Sequence, residues 1–291
     1  MIRELANQHL SVTISEVGAE LLSIRSTSQE HLWAGEPSIW ARRAPVLFPV
    51  IGQTPAASPC FPGARAPMPV HGIVHDIPFE VLHHTETLLE LCTEDNEATF
   101  AIYPYHFRLT LRFELSGQSL SGRATLLNCG DEAFRYDFGF HPGFACDAQR
   151  DVTLEFEHEE AQGMLRAVDG QVVGAPVVSQ LDGRILRITP STFAAGALIL
   201  PKLRSRLVTL VQSGQRRLSV GFDTPDLAFW SNDPTRFVCI EPWCGLPSGA
   251  RDHQRSVLQP GEARDYNHMI TIAAPSTPTM RPADAAESLA P

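Results

Sequence analysis

Hydrophobic and polar positions along the chain alternate more often than they recur with a helical period. Leu109, Leu111, Phe113 and Leu115 alternate with Thr110, Arg112 and Glu114, and Ser116-Gly117-Gln118-Ser119 then precedes Leu120. A period of two sends successive side chains to opposite faces of a strand, so this stretch predicts an antiparallel hairpin with one wet face. The pattern returns where Val152, Leu154 and Phe156 alternate with Thr153, Glu155 and Glu157. Residues 207–211, a Ser-Gly-Gln turn and then Leu218, Val220 and Phe222 predict a second hairpin, and further strands are expected at 10–14, 22–24, 237–240 and 269–272. The best helix candidate is short, over 191–198, where Pro-Ser-Thr precedes FAAGAL. Many short strands separated by Gly, Pro, Asn and Asp indicate an all-β sandwich or barrel, mainly antiparallel and with few short helices.

Two stretches depart from this pattern. Residues 52–70, GQTPAASPCFPGARAPMPV, read as a loop long enough to serve function, one that could close over a ligand. Residues 274–291 hold too few large apolar side chains to fold and are expected to form a disordered tail, leaving 1–273 as one domain. A net charge of -10 disfavours nucleic acid and anionic membrane, which call for basic patches. The first residues lack the apolar core of a signal peptide, and no stretch reaches the ~20 apolar residues of a membrane span, so a cytoplasmic protein is expected. The six cysteines are scattered without a CxxC pair, which argues against a zinc knuckle or a disulfide framework.

Three segments set ionisable groups among stiff, apolar neighbours: VHGIVHD with His71 and His75, DFGFHPGF with His141, and CIEPWCG with Glu241. Glu241 follows the apolar run 237–240 and precedes Pro242 and Trp243, which places it at the end of a buried strand. Desolvation there raises a carboxyl pKa and suits a general base, although an ion-paired structural carboxylate fits the same pattern. His141 sits in an aromatic turn that either holds an imidazole for proton transfer or buries it with one hydrogen bond. His71 and His75 with Glu241 would make a two-histidine, one-carboxylate metal set. The HxxxH spacing is diagnostic on a helix, however, and Gly72, Pro69 and Pro78 exclude one, so no metal is expected. Trp40 beside Arg42 and Arg43 suits a sugar, whose C–H face packs on an indole while guanidinium donors reach its hydroxyls.

Taken in order, GAELLSI, HLWAGEPSIWARRAPVLFPVIG, HGIVHDIPFEV, YPYHFRLTLRFEL, FGFHPGFA, FVCIEPWCGLPS and LQPGEARDY resemble the aldose 1-epimerase (galactose mutarotase-like) family, in particular its bacterial branch with a W-x-R-R-A-P-x-L-F-P block. The resemblance covers residues 8–273. It implies a β-supersandwich, a small-molecule sugar substrate, no metal or organic cofactor, and a monomer or homodimer. By the same resemblance His141 is the general acid, Glu241 the general base, and His71 orients the sugar near its ring oxygen. An arginine of the RRAP block holds sugar hydroxyls, Arg43 being preferred over Arg42. Trp40, His75 and Trp243 complete the expected substrate contacts. The expected activity is interconversion of α and β anomers of a free hexose such as glucose or galactose. Two alternatives stand beside it, a non-catalytic carbohydrate-binding or regulatory protein of this fold and a hexose-6-phosphate 1-epimerase. Many relatives carry arginine where this chain has His75, and Asp76 beside it disfavours a phosphate.

Overall fold

The computed structural model describes residues 1–27, 29–54, 60–177, 180–250 and 254–274. Part of the expected 52–70 loop (55–59) and all but the first residue of the expected 274–291 tail lie outside the described residues.

The alternating stretches are strands, and the pairings between strands among the described residues are antiparallel, with one isolated parallel bridge between Phe48 and Gly72. The longest hairpin joins Phe107–Ser116 to Ser119–Asn128, with Leu115 opposite Leu120 across the Gly117-Gln118 turn. Gly117 takes φ +55° there, a value that costs glycine no Cβ clash. This hairpin belongs to a ten-stranded sheet. Its order is Leu181–Asp182, Ile185–Ile188, Val152–Phe156, Leu207–Gln212, Gln215–Phe222, Ala263–Ile272, Ser119–Asn128, Phe107–Ser116, Leu88–Glu94 and Glu80–His84. An eight-stranded sheet runs Gln171–Val177, Met164–Val168, Ala197–Leu200, Asp226–Trp230, Phe237–Cys244, Phe138–Phe140 and Val46–Leu47, and Gly143–Ala145 joins it beside Phe237–Cys244. A four-stranded sheet is formed by Ile2–Ala6, Leu10–Ser15, Leu21–Ser26 and Gln29–Glu30, and Phe134–Tyr136 pairs with Ser256–Leu258.

One apolar core lies between the two large sheets. Leu109, Leu111, Phe113, Leu210, Val220 and Ile270 from the ten-stranded sheet meet Phe138, Phe140, Val238, Ile240 and Phe229 from the eight-stranded one, all nearly inaccessible. Phe138 stacks on Tyr266 at 4.5 Å, and Phe156 meets Phe229 edge-on at 5.8 Å. The fold is the mainly antiparallel all-β sandwich that the alternation predicts.

The expected helix over 191–198 is not formed. The chain makes turns there and enters the strand Ala197–Leu200, which is hydrogen-bonded on both sides. Gly196 adopts φ +100°, and a Cβ there would lie 2.2 Å from the Ala167 carbonyl oxygen, so the close approach of two backbones overrides a weak helical propensity. The one α-helix among the described residues is Glu97–Ile102, capped by Asn96, whose side chain accepts from the amides of Ala98 and Thr99.

Candidate active site

His141 and Glu241 are brought together by strand register. Phe237–Cys244 pairs with Phe138–Phe140 through Gly139 and Trp243, and with Gly143–Ala145 through Gly143 and Cys239. The register is the same on both flanks, so the interrupted position between them places His141 opposite Glu241. Residues directly opposite share a face. On that face Phe237, Cys239, Glu241 and Trp243 alternate with the core-facing Val238 and Ile240. Glu241 therefore stands within the strand rather than at its end. Pro242, which has no N–H to give, falls where the ladder opens, and it is tolerated for that reason.

The glycines around His141 make room for this arrangement. A Cβ at Gly139 would approach Trp243 to 2.5 Å, and one at Gly143 would approach Trp40 to 2.9 Å. The spacing Gly-x-His-x-Gly thus leaves an imidazole between two indoles. Trp40 meets the His141 ring at 5.1 Å, stacks on Phe237 at 5.5 Å and meets Trp230 edge-on at 5.4 Å.

His141 Nε2 lies 3.1 Å from Glu241 Oε2, and both side chains are buried. The contact is close, but its alignment leaves Glu241 Oε2 without a hydrogen-bond partner, and His141 Nδ1 also has none. Burial pushes the Glu241 carboxyl well above the ordinary carboxylate range. Burial, and then the neighbouring His71, pushes His141 well below the ordinary imidazole range. Both shifts disfavour charge, so the pair holds one titratable proton, on the Glu241 carboxyl, beside a neutral imidazole.

His71 sits at φ +64°, with its amide bonded to the Gly52 carbonyl at 2.9 Å and its Nδ1 accepting from the Gly52 amide at 3.1 Å. That bond leaves the proton on Nε2. Burial, followed by repulsion from His75, pushes its pKa down to about 4, which makes His71 a neutral donor. Its ring is perpendicular to that of His141 at 5.3 Å. His75 lies in the 3-10 turn Val74–Asp76, with Nε2 3.3 Å from Asp76 and Nδ1 buried and unpartnered.

The two arginines diverge. Buried Glu20 accepts from the amides of Arg43 and Ala44 at 2.7 and 3.1 Å and so fixes the backbone between them and the site. Arg42 lines the pocket and is held by Asp76, by the His75 carbonyl at 3.0 Å and by Glu20 at 3.5 Å. Arg43 turns away: its guanidinium donates to the Leu22 carbonyl and packs against Gly35. The preference for Arg43 as the pocket arginine is therefore corrected to Arg42. The two side chains leave an irregular segment in different directions, and the sequence does not say which of them faces inward.

These groups line one cavity of about 630 Å³. Trp40, Arg42, His71, His75, His141, Glu241 and Trp243 all reach it, whereas Arg43 does not. Several lining residues escaped the sequence reading. Gln53 and Trp230 line it as well, as do the small residues Ala167 and Ala197. Asp169 reaches the rim from the Asp169-Gly170 turn, where φ is +48° and +73°. The Asp-Gly pair between Val168 and Gln171 is the signal that marks this turn as a type I′ hairpin loop. Trp243 Nε1 is buried without a partner, as are His75 Nδ1, His141 Nδ1 and Glu241 Oε2. Buried polar atoms are rarely left unpaired in native proteins, and four on the residues of one pocket are groups that a polar ligand or water would satisfy.

No helix among the described residues is long and apolar enough to cross a membrane. The family model for aldose 1-epimerase matches residues 1–268. The plasmid-borne protein LacX of Lactococcus lactis subsp. lactis is 28% identical over 280 residues, covering 87% of this chain and 90% of that one. Among solved structures, the galactose mutarotase related enzyme from Lactobacillus acidophilus superposes with a TM-score of 0.82 at 25% identity, covering 94% of this chain and 98% of the other. A galactose mutarotase-like protein from Lactobacillus casei ATCC 334 reaches 0.83 at 23% identity over 94% and 100% of the two chains and shares the fold. With the family model spanning nearly the whole of the described structure, the chain belongs to the aldose 1-epimerase family.

Proposed function

We propose that this protein is an aldose 1-epimerase that interconverts the α and β anomers of a free hexose such as glucose or galactose. The observation that carries this reading is the buried His141–Glu241 contact of 3.1 Å on the floor of a pocket walled by Trp40, Trp230 and Trp243. Indole faces accept the C–H faces of a pyranose, and the unpartnered polar atoms are available to its hydroxyls.

Before sugar binds, burial keeps the proton of the pair on Glu241. Sugar hydroxyls donating to Glu241 offset the desolvation of its carboxylate and draw the proton to the imidazole. Glu241 takes the proton of the anomeric hydroxyl while His141 gives its own to the ring oxygen, and the C1–O5 bond breaks. The open aldehyde rotates about C1–C2. On closure Glu241 returns its proton to the carbonyl oxygen and His141 recovers the one on O5. One proton resides on the pair throughout, and the uncharged partition that burial favours is the one present while the chain is open. His71, neutral and with a donor on Nε2, orients the sugar near its ring oxygen. Arg42, Trp40, His75 and Trp243 provide the remaining contacts.

A free sugar is favoured over a sugar phosphate by charge. Arg42 is the one cationic side chain among the described pocket-lining residues, and it is already held by Asp76 and Glu20, while Asp169 adds negative charge at the rim. NMR exchange or polarimetry with α-glucose and α-galactose tests the proposal. Wild-type protein should accelerate equilibration, and Glu241→Gln and His141→Asn should lower kcat by about 10²–10⁴-fold, the usual contribution of a positioned acid or base. Acceleration confined to 6-phosphates would move the substrate assignment. Sugar binding with rates no faster than buffer would leave a binding protein of this fold.

A further inference from the structure

The strand that carries Glu241 also carries Cys239 on the same face, and Gly143 stands opposite that cysteine. Cys239 is wholly buried and has a free thiol. One donor atom from each of His141, Cys239 and Glu241 lies within 4.8 Å of the others, the donor cluster of this kind among the described residues. Two nitrogen or oxygen ligands bound to one zinc ion at about 2.0–2.1 Å stand about 3.3 Å apart at a tetrahedral angle. His141 Nε2 and Glu241 Oε2, at 3.1 Å, already have nearly this separation, and the carboxylate oxygen has no other partner. Gly143 offers no side chain against the sulfur: a Cβ there would sit 3.4 Å from Sγ. An ion enters through the pocket, which His141 and Glu241 line.

We propose that the floor of the pocket is an inhibitory site for a thiophilic divalent cation of the zinc type, held by Cys239 Sγ, His141 Nε2 and a Glu241 carboxylate oxygen, with a fourth position open to the cavity. Thiolate and imidazole together select zinc-like ions over calcium and magnesium, which take oxygen ligands. Binding releases the thiol proton of Cys239 and the carboxyl proton of Glu241, without any change of oxidation state. The ion then occupies both groups that move protons in the proposed reaction. Inhibition rests on the epimerase reading, whereas binding does not.

Cobalt(II), added to the purified full chain, reports binding independently of turnover. A thiolate-bound tetrahedral ion gives intense visible bands and a near-ultraviolet sulfur-to-cobalt charge-transfer band. Wild-type protein should develop both at one equivalent and lose them when zinc is added. Cys239→Ser and Cys239→Ala, with unchanged circular dichroism, should lose the charge-transfer band. In anomerisation assays zinc should compete with sugar and be reversed by chelator. Cys239→Ser should raise the zinc concentration for half-inhibition by at least about tenfold while its metal-free rate stays near wild type. The proposal is overturned by folded wild-type protein without the charge-transfer band, by a band that survives in both cysteine variants, or by equal zinc sensitivity of wild type and variants. If no sugar is turned over, the epimerase reading fails, and the cobalt spectra still decide the site.

Discussion

His141 and His268 are both buried histidines, and they stand on the two opposing sheets of the sandwich. Each is accommodated by glycine: Gly139 and Gly143 flank His141, and Gly122 lies across from His268, so close that a Cβ would come within 2.4 Å of its Nε2. Burial lowers the pKa of each, to about 4 for His268. The surroundings differ. His141 faces Glu241 at 3.1 Å in a cavity that Trp40, Trp230 and Trp243 also line, whereas His268 borders a different cavity and lies in van der Waals contact with the Phe140 ring, at 4.0 Å between centroids, and neither of its nitrogens has a partner. A displaced pKa is thus a consequence of burial and does not by itself mark chemistry. Both are equally buried and both border a cavity, so what separates the two residues is the acid partner that register brings to His141.

The sharpest way to break this comparison is to remove each imidazole. His141→Asn should lower kcat by about 10²–10⁴-fold, while His268→Leu should leave the rate near wild type. Replacing an unpartnered polar ring by an apolar side chain should also leave stability unchanged or raise it, by up to about 1–2 kcal/mol in urea unfolding. A large rate loss in His268→Leu would mean that the two histidines are coupled through the sheet.

Glycine substitutions beside each histidine probe the same contrast. Gly139→Ala pushes a methyl against Trp243 and should displace the wall beside His141 and Glu241, the pair proposed to move protons. Because a shift of ~1 Å at a reacting centre can cost about 10²-fold, kcat/KM should fall well before stability does. Gly122→Ala should do the reverse, costing about 1–3 kcal/mol through overpacking against His268, with little change in turnover of the folded fraction. Equal effects on rate from both would remove the distinction.

The smallest effect is on the pH dependence of stability. His71 and His268 have pKa values near 4 in the folded chain against 6.5 for ordinary histidine. Above pH 6.5 both states are neutral and stability is insensitive to them. As pH falls from 6.5 towards 4 the unfolded chain takes up protons that the folded chain refuses, so stability declines. For His268 the loss between pH 7 and 5 is on the order of 1–2 kcal/mol. His71 acts in the same direction. His268→Leu should flatten the decline in denaturant midpoints by one histidine's share, and an unchanged slope would show that His268 is solvated in the folded state.

Much of the fold was legible because period-two alternation and glycine turns are local signals. The hairpin of Phe107–Ser116 and Ser119–Asn128 is read directly from Leu109 to Leu120. The strand Ala197–Leu200 was not, since Phe193-Ala194-Ala195 invites a helix and only pairing with Met164–Val168 and Asp226–Trp230 decides otherwise. In the site, DFGFHPGF and CIEPWCG drew attention because an ionisable group among stiff apolar neighbours is unusual. Glu20, Gln53, Asp169 and Trp230 did not stand out, because their significance lies in what they touch across the sheet. Arg42 and Arg43 are chemically alike, and only the direction in which each side chain leaves the backbone tells them apart.

The sequence by itself determined that the chain would form short antiparallel strands around one apolar core, and that His141 and Glu241 would each lie in a rigid, desolvated segment. Tertiary structure decided that the two would meet. Alternation fixes which face of a strand a residue occupies, but register between distant strands depends on the summed burial of both faces and on backbone hydrogen bonds that no local pattern encodes. Here that register sets His141 across from Glu241, between glycines that admit Trp40 and Trp243, and so turns two buried titratable residues into one site.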